Sequence, residues 1–433
     1  MNIGIIGGGI AGLTAAYQLS KAGHRVTVFE KEPELGGQAA TFEVGGERVE
    51  RFYHHIFAGD QYIQNLIKEL GLGDRLVWLE SKVGYWHGGK IYKFSTPLDL
   101  LRFKPLGLLD RVRLGLVGLY LRWYKNWQRY EGTIAREWIM KYAGRRSYEV
   151  LWGPLLRGKF GQSASEVGMV WFWGKIHLRF SSRGKGAGGE KLGYLKGSFG
   201  LVPDALAQRI TASGGTIHTG SPVSRVVAEE GKVTGLEAGG NAAGFYTFDT
   251  IIATVPSHVF LDMVPQLEGE YAAKLRNIRY QAAVCAVFIL KKSLSPIYWL
   301  NISDPEVPFV AAIEHTNFVN PSVYGGRHIL YISNYLSKDN PLYSAGIDKL
   351  QETFLPHLKR INPEFDTGWI EERYRFSEDA GQPIVGTYYS RQIPEHRTPI
   401  DGLYLANTTQ IYPEDRGMNY SVRLGLDVSK LIE

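Results

Sequence analysis

The first 41 residues, MNIGIIGGGIAGLTAAYQLSKAGHRVTVFEKEPELGGQAAT, decide the fold. The apolar run at residues 3–6 predicts a buried strand, and RVTVF at residues 25–29 predicts a second one. Between them, residues 7–12 (GGGIAG) match the pattern G-x-G-x-x-G and open a predicted helix that Gly23 ends. The stretch therefore has the strand–turn–helix–strand order in which this glycine pattern binds a dinucleotide.

The glycines and the acid of this unit have distinct roles. Gly7 permits the tight turn out of the strand, and Gly9 lets the backbone approach a pyrophosphate at the helix N-terminus. Gly12 allows close packing of the helix, and Glu30, at the end of the second strand, can accept hydrogen bonds from a ribose. The predicted dinucleotide contacts in this unit are Gly7, Gly9, Ile10, Ala11, Gly12 and Glu30.

A second glycine pair follows within residues 30–41 (EKEPELGGQAAT). It resembles the E-x(n)-G-G-x-x-x-T extension of the flavoprotein superfamily that contains amine oxidases, protoporphyrinogen oxidase, phytoene desaturases and UDP-galactopyranose mutase. In that superfamily the second pair adds backbone N–H groups around the FAD pyrophosphate, and dehydrogenases that use only NAD lack it. The resemblance implies FAD as the cofactor, with further contacts from Lys31, Gly36, Gly37 and Gln38.

Two later segments also resemble parts of this superfamily's FAD-binding domain. Residues 222–226 (PVSRV) correspond to a segment that places a valine backbone against adenine, and residues 249–256 (DTIIATVP) return the chain to the dinucleotide. Residues 402–407 (GLYLAN) are similar to G-L-Y-L-A-G, with Asn407 in place of the usual glycine. Residues 417–422 (GMNYSV) begin a helix aimed at the flavin pyrimidine, which would stabilise a reduced, anionic flavin. The contacts implied are Val223, Thr254, Asn407, Met418, Asn419 and Tyr420.

These segments predict an α/β protein with two domains. A Rossmann-type FAD-binding domain is assembled from the discontinuous residues 1–57, 195–257 and 396–433. A substrate-binding domain with a mixed sheet and helices takes residues 58–194 and 258–395. This order of segments is characteristic of the superfamily that the motifs resemble.

Two histidines follow a predicted hairpin, whose turn lies at residues 45–46. In the relatives, the chain after this hairpin passes over the isoalloxazine ring, and Glu50, His54 and His55 occupy the corresponding positions by resemblance. An imidazole there can carry a proton or orient a substrate anion. Because neighbouring residues of a strand point to opposite faces, at most one of the two histidines is expected to face the flavin.

The loop before the last helix supplies further candidates. Tyr412, Asp415 and Arg416 are expected to face flavin and substrate, although a solvated turn also explains the two charged residues. Arg157 and Lys159, in a segment that resembles a pocket-lining helix of the relatives, either bind an anionic substrate group or lie at a solvated helix end. The glycine-rich residues 181–190 predict a mobile loop that gates the pocket. The candidate catalytic residues are His54, His55, Tyr412 and Arg416.

Residues 97–130 contain a predicted helix at 109–130 with an unusually wide apolar arc. The rest of its circumference is a narrow basic stripe formed by Arg111, Gly115, Gly118, Arg122, Lys125 and Arg129. Two interpretations stay open. The helix either lies in a membrane interface, with its cations toward the headgroups, or is a nearly buried helix of the substrate domain.

Composition limits the remaining possibilities. Cys285 is the only cysteine, which excludes a disulfide framework and a thiolate metal site and fits a reducing cytoplasm; no metal is expected. The chain begins directly with the first strand and has no apolar run of about 18 residues, so neither a signal peptide nor a membrane span is expected. The net charge of +6 comes without a nucleic-acid-binding module, and nothing in the sequence indicates the oligomeric state.

The sequence predicts transfer of a hydride from a substrate C–H bond to flavin N5, by an oxidase or desaturase of a bulky, apolar or lipid-linked substrate. No second G-x-G-x-x-G is present, so a separate NAD(P)H domain is not expected. A non-catalytic flavin protein is a further possibility. The alternative enzyme is a flavin-dependent isomerase of the UDP-galactopyranose mutase kind, which needs reduced flavin and arginines for a diphosphate, here from Arg157, Arg179, Arg183 and Arg416.

Overall fold

The computed structural model of the protein describes residues 1–181 and 190–432. The loop predicted to gate the pocket, and Arg183 within it, lie outside the described residues. The strands of the described residues are, in chain order, β1 (Asn2–Ile6), β2 (Arg25–Phe29), β3 (Thr41–Val44), β4 (Glu47–Glu50), β5 (Leu76–Glu80), β6 (Val83–His87), β7 (Lys90–Lys93), β8 (Lys191–Leu195), β9 (Thr216–His218), β10 (Val223–Glu229), β11 (Lys232–Ala238), β12 (Gly244–Thr247), β13 (Thr250–Ala253), β14 (Tyr280–Leu290), β15 (Trp299–Ile302), β16 (Ala311–Glu314), β17 (His328–Leu336), β18 (Ile370–Pro383) and β19 (Leu403–Leu405).

The α-helices lie between these strands and pack on their faces. They are α1 (Ile10–Lys21), α2 (Gln61–Glu69), α3 (Pro97–Arg102), α4 (Leu108–Trp123), α5 (Ala135–Tyr142), α6 (Arg145–Ser147), α7 (Gly153–Phe160), α8 (Met169–Ser181), α9 (Leu201–Ala212), α10 (Ser257–Met263), α11 (Gly269–Arg276), α12 (Pro341–Ser344), α13 (Ile347–Ile361) and α14 (Met418–Ser429).

A five-stranded parallel sheet forms the base of the nucleotide-binding half, in the order β19-β13-β1-β2-β9. The strands predicted at residues 3–6 and 25–29 are confirmed as β1 and β2. Both are apolar because helices cover the sheet, as is usual for parallel sheets. Ile3 and Val26 are fully buried, and α1 packs against both α9 and α14.

A seven-stranded mixed sheet, β18-β14-β17-β16-β15-β6-β7, forms the second half. Among these strands, only β15 and β6 are parallel neighbours. Alternation along the buried strand β14 separates two cores: Val284 and Phe288 belong to the cluster that includes α13, whereas Cys285 and Val287 belong to the cluster that includes the first sheet. The α/β fold with a parallel and a mixed sheet is confirmed.

The predicted helix at 109–130 is shorter than expected. The helix α4 ends at Trp123, and the backbone of Tyr124 is extended. Tertiary contacts explain this early end, since the indole N–H of Trp173 donates to the carbonyl of Tyr124 at 2.7 Å. A few residues further on, Trp127 packs edge-to-face on Tyr412, with ring centroids 5.3 Å apart. These contacts hold residues 124–130 in a path that a continuing helix would not follow.

The solvent exposure of α4 distinguishes between the two interpretations of this helix. The alternative of a nearly buried helix is wrong, because Leu109 is 86% exposed and Trp123 is 75% exposed. Its buried side consists of Leu114 and Leu121, and Gly115, expected on the polar stripe, instead faces α3. In the described parts of the chain, no helix has both the length and the apolar composition that crossing a bilayer requires.

Candidate functional site

The turn after β1 is built so that only glycine fits at two positions. Gly7 has φ +107°, which non-glycine residues rarely adopt, and its N–H donates to the carbonyl of Phe29 at 2.8 Å. A Cβ at Gly12 would lie 2.1 Å from the carbonyl oxygen of Gly7. A Cβ at Gly9, in contrast, would have no heavy atom nearer than 4.0 Å. The backbone is therefore packed tightly below the turn and is open above Gly9.

The N-terminus of α1 opens into this space. The first hydrogen bond within the helix runs from the N–H of Leu13 to the carbonyl of Gly9 at 2.9 Å. The N–H groups of Ile10, Ala11 and Gly12 come before it and are not used by the hydrogen bonds of the helix. The first turn contains no acidic residue. Free N–H groups and the positive end of the helix dipole suit a pyrophosphate.

Glu30 lies beside this turn and is buried. One of its carboxylate oxygens accepts from the N–H of Gly8 at 2.6 Å, and the other accepts from the N–H of Glu32 at 2.9 Å. A carboxylate has about four acceptor positions, so two remain for ribose hydroxyls. Lys31 points away from the turn, with its side chain 73% exposed and 3.6 Å from a Glu32 oxygen. Its predicted cofactor contact is not supported by this placement.

The second glycine pair lies directly against the first. The N–H of Gly36 donates to the carbonyl of Gly8 at 2.9 Å, and a Cβ at Gly37 would lie 3.3 Å from the Cα of Gly9. Thr254 closes the other side, because its hydroxyl donates to the carbonyl of Ile6 at 3.0 Å. Together these segments line one cradle beside the helix N-terminus, as the resemblance predicted.

The middle and C-terminal segments complete this cradle. The N–H of Ser221, two residues before Val223, donates to the carbonyl of Glu30 at 2.8 Å. In α14, a Cβ at Gly425 would lie 2.5 Å from the carbonyl of Ala11, so the two helices are in close contact. Asn407 is buried and holds the local turn, accepting from Thr409 N–H at 3.1 Å and donating to the Val255 carbonyl at 3.0 Å. The residues present fit a flavin dinucleotide.

A cavity continues from the cradle into the second half of the molecule. It encloses about 1620 Å³, counting the part open to solvent. Gln38 and the first turn of α14, with Met418, Asn419 and Tyr420, line the end nearest the cradle. The opposite walls come from the mixed sheet and from α7 and α8. The space beside α1 therefore adjoins a cavity in the second half of the molecule.

Both histidines line this cavity. The strand β4 ends at Glu50, so alternation does not apply to His54 and His55. The Nδ1 of His54 is 2.5 Å from the carbonyl of Phe52, which places the proton on Nδ1 and leaves Nε2 as an acceptor. Burial lowers the pKa of His54 to about 4 and that of His55 to about 3, so both are neutral at pH 7.

Arg416 joins the two halves of the site. Its guanidinium donates to the side chains of Gln38 at 3.0 Å, Tyr335 at 2.9 Å and Gln382 at 3.2 Å. These partners belong to the cradle, to β17 and to β18. Arg416 is thus fixed by three hydrogen bonds at the junction of cradle and cavity, and the interpretation of a solvated turn is wrong for it.

Asp415 is also buried, at the centre of an ion-pair cluster. Its carboxylate lies 2.5 Å from the Nζ of Lys159 and 3.2 Å from the Nζ of Lys175, and it accepts from the indole N–H of Trp171 at 3.1 Å. Burial alone would raise the pKa of Asp415, but the two ammonium groups outweigh burial and hold the pKa well below its usual range. Burial lowers the pKa of Lys175 to about 8.

Sequence analysis missed Lys175, although a signal was present. Trp171, Lys175 and Arg179 recur every four residues, so they share one face of α8. The structure corrects the prediction for Tyr412 and supports the solvated helix end for Arg157. Tyr412 does not line the cavity, because its hydroxyl donates to Glu131 at 2.7 Å within the helical layer. Arg157 is exposed and also absent from the lining, whereas its neighbour Lys159 points into the cavity.

The cradle and the attached cavity define a flavoprotein oxidoreductase. The profile of the flavin containing amine oxidoreductase family matches residues 10–426, nearly the whole chain. The protein belongs to this family and is a flavin-dependent oxidoreductase, which confirms the superfamily that the motifs resemble.

Individual relatives are more distant. A 96-residue segment is 38% identical to the 15-cis-phytoene desaturase of Glycine max, but the match covers only 22% of this chain and 17% of that enzyme. An oxidoreductase from Methanosarcina mazei superposes with a TM-score of 0.77 at 20% identity, covering 99% of this chain and 100% of that one. Reduced UDP-galactopyranose mutase superposes with a TM-score of 0.76 at 17% identity, covering 100% and 95%. At these identities, the two structures show a shared fold alone.

Proposed function

We propose that the flavin is FAD and that the protein takes a hydride from a bulky apolar or lipid-linked substrate. The carrying observation is that the cavity begins at Gln38, next to the second glycine pair of the cradle, and at the first turn of α14. A buried acid at the end of β2, Glu30, suits the ribose of a second nucleotide, which favours FAD over FMN. When bound, FAD supplies a hydride acceptor at N5.

The residues of this chain hold and orient the reactants. The N-terminus of α14 begins at Gly417 without an acidic residue in its first turn, so it favours negative charge on a ligand in front of it. Neutral His54, with Nε2 available as an acceptor, can accept a hydrogen bond from a substrate and orient it. Apolar walls from Leu151, Leu155 and Val310 exclude water from a substrate body.

The test combines cofactor release with an anaerobic reaction. Heat denaturation of the purified yellow protein is expected to release FAD, identified by mass, rather than FMN. Oxidised protein is then mixed anaerobically with 15-cis-phytoene, the substrate class suggested by the desaturase relative. Loss of the oxidised flavin absorption is the expected result. A protein that stays colourless after incubation with excess FAD would overturn the proposal.

An isomerase is the second candidate, favoured by the cations of the cavity. Lys159, Lys175, Arg179 and Arg416 all line it and suit a diphosphate. This enzyme needs reduced flavin and has no net redox change. Conversion of UDP-galactopyranose only after dithionite reduction, with no bleaching by a C–H donor, would therefore favour the isomerase over the oxidoreductase.

We further propose that α3 and α4 contact an anionic membrane surface from the cytoplasmic side. Their exposed apolar side chains are flanked by the exposed cations Arg102, Lys104, Arg113 and Lys125. This combination is typical of helices that lie in a lipid interface. The exposed apolar residues of this face are Leu98, Leu101, Leu108, Leu109, Val112, Leu116, Leu119, Tyr120 and Trp123.

The proposed division into FAD-binding and substrate-binding domains is supported by the five parallel strands, all of which fall within residues 1–57, 195–257 and 396–433.

A further inference from the structure

The cavity carries a concentration of positive charge on one side. Lys159 projects from α7, and Lys175 and Arg179 project from α8, while Arg416 approaches from the loop before α14. The aromatic ring of Tyr335 lies between two of them, with the Nζ of Lys159 and the guanidinium of Arg416 each 5.7 Å from its centroid. These four cations form one group, called the cation cluster below.

Asp415 is the carboxylate that pairs with this cluster, and it binds two lysines at once. Two further acids line the cavity, but each has another partner. Asp60 accepts from the N–H of Phe57 at 2.8 Å, and Glu378 accepts from the N–H of Ala380 at 3.3 Å. Within the described residues, neither acid forms an ion pair with Lys159, Lys175 or Arg416. The lining therefore holds four basic and three acidic side chains, and among the described contacts Asp415 is the acid that pairs with the lysines of the cluster.

Such an excess is costly in a site that is largely withdrawn from water. The cost is visible at both lysines, because burial lowers the pKa of Lys159 and of Lys175 despite the contact with Asp415. An anionic group that enters the cavity would offset this cost and would be bound by charge-assisted hydrogen bonds. Side chains held in a packed helix wall are also suited to fix the position of that group.

The wall next to the cluster is apolar. Leu155 precedes Lys159 by one helical turn, and Leu178 adjoins Arg179 on α8. Leu151 and Val310 extend the same lining. A ligand that matches both features has a charged end and a hydrocarbon body.

We propose that the substrate is an amphiphile with an oxyanion head, either phosphate or carboxylate, which binds to Lys159, Lys175 and Arg179 while its apolar body lies along the leucine-lined wall. This inference rests on the proposed function and specifies the substrate class of the same site. The cluster positions the substrate, and the flavin remains the redox group.

Binding of three probes with one hydrocarbon chain tests the proposal. Geranyl phosphate, geranic acid and geraniol are titrated calorimetrically into the flavin-loaded protein below their aggregation concentrations. Either anion, or both, is expected to bind at least tenfold more tightly than the neutral alcohol, and the stronger of the two identifies the head group. Equal binding of all three probes would overturn the inference but leave flavin reduction by a C–H donor, and with it the proposed function, intact.

Substitutions at Lys175 test whether the cation cluster causes the preference for the anionic probes. Lys175→Met is expected to weaken binding of the preferred anion at least tenfold without changing geraniol binding, and Lys175→Arg is expected to retain most of the affinity. Lys359→Met is the matched control, since Lys359 is an exposed lysine on the helix α13. Equal weakening of all probes by Lys175→Met would contradict the proposal. If Lys175→Met does not fold, the test is whether inorganic pyrophosphate competes with geranyl phosphate for the native protein. Failure of pyrophosphate to compete would contradict anion binding at the cation cluster.

Discussion

The cradle and the helical layer of α3 to α8 are held together by different kinds of contact. In the cradle, backbone meets backbone: Gly12 lies against Gly7, and Gly37 lies against Gly9. In the helical layer, long side chains make the contacts, with Lys175 reaching into the cavity and Trp123 into solvent. The first region thus depends on residues that have no side chain, and the second depends on the direction in which side chains point.

This difference predicts different tolerance to substitution. A backbone contact is lost with any added side chain, because neither partner can move without moving a strand or a helix. A side-chain contact is lost only if the charge or the shape changes. Substitutions in the two regions should therefore differ both in size and in which property they affect.

Gly12→Ala is expected to have the largest effect. Its Cβ would lie 2.1 Å from the carbonyl of Gly7, so β1 and α1 must separate. Overpacking of this kind costs about 3 kcal/mol or more in the free energy of unfolding. Flavin occupancy after purification, read from the visible absorption, is expected to fall below a tenth of that of the native protein.

The control for this change is Gly346→Ala. Gly346 has φ −68°, and a Cβ added there would have no heavy atom within 4 Å, so alanine fits. Native flavin content and stability are expected for this variant. If both variants kept their flavin, the close contact between Gly12 and Gly7 would not be required for flavin binding.

Asp415→Asn is expected to have the next largest effect, and it separates stability from binding. Removing the carboxylate leaves Lys159 and Lys175 without their shared partner, which costs about 3 kcal/mol for a buried pair. Chemical denaturation at pH 7 measures this loss. The flavin should remain bound, and the pKa of both lysines should fall further, because Asp415 is the group that raises them.

The exposed pair of Asp427 and Lys430 provides the comparison. The two groups are 3.7 Å apart at the surface, and exposed pairs contribute about 1 kcal/mol or less. Asp427→Asn should leave both stability and phosphate binding nearly unchanged. Equal losses of stability in the two variants would show that the Asp415 cluster is no more important than a surface ion pair.

The same contrast explains what could be predicted from the sequence. Much of the cradle was predicted from the sequence, because glycine at Gly7 or Gly12 reports a backbone constraint that no other residue satisfies, whereas the predicted contact of Lys31 was not supported. Glu30 was predictable because its position at the end of β2 is fixed by the strand itself.

The cavity was predicted less well, since its residues come together only through tertiary structure. Lys175 and Asp415 are 240 positions apart in the chain, and nothing local pairs them. Tyr412 was misplaced because the direction of a loop side chain depends on its partner Glu131, which is 281 positions away. For α4, the sequence periodicity predicted that a helix forms, but neither where it ends nor which face is buried. Contacts with Trp173 and with α3 determine these two features.

The smallest effect on stability is expected for the outer surface of α4. Leu109→Glu combined with Trp123→Glu changes two side chains that are 86% and 75% exposed, so the free energy of unfolding should change by about 0.5 kcal/mol or less for each. Flavin content should be unchanged for the same reason. Co-sedimentation with phosphatidylglycerol vesicles, in contrast, should be lost, because the substitutions put negative charge into the proposed lipid-facing surface.

Phe245→Glu is the matched control, since Phe245 is a 55% exposed aromatic residue on β12, outside α3 and α4. It should sediment with vesicles as the native protein does. Binding that survives in the α4 variant would remove the membrane from the proposed function but leave the cavity unaffected, because α8 lies between α4 and the cavity lining. The outer and inner sides of the helical layer can thus be tested separately, whereas in the cradle a substitution at Gly12 disturbs the fold and the ligand site together.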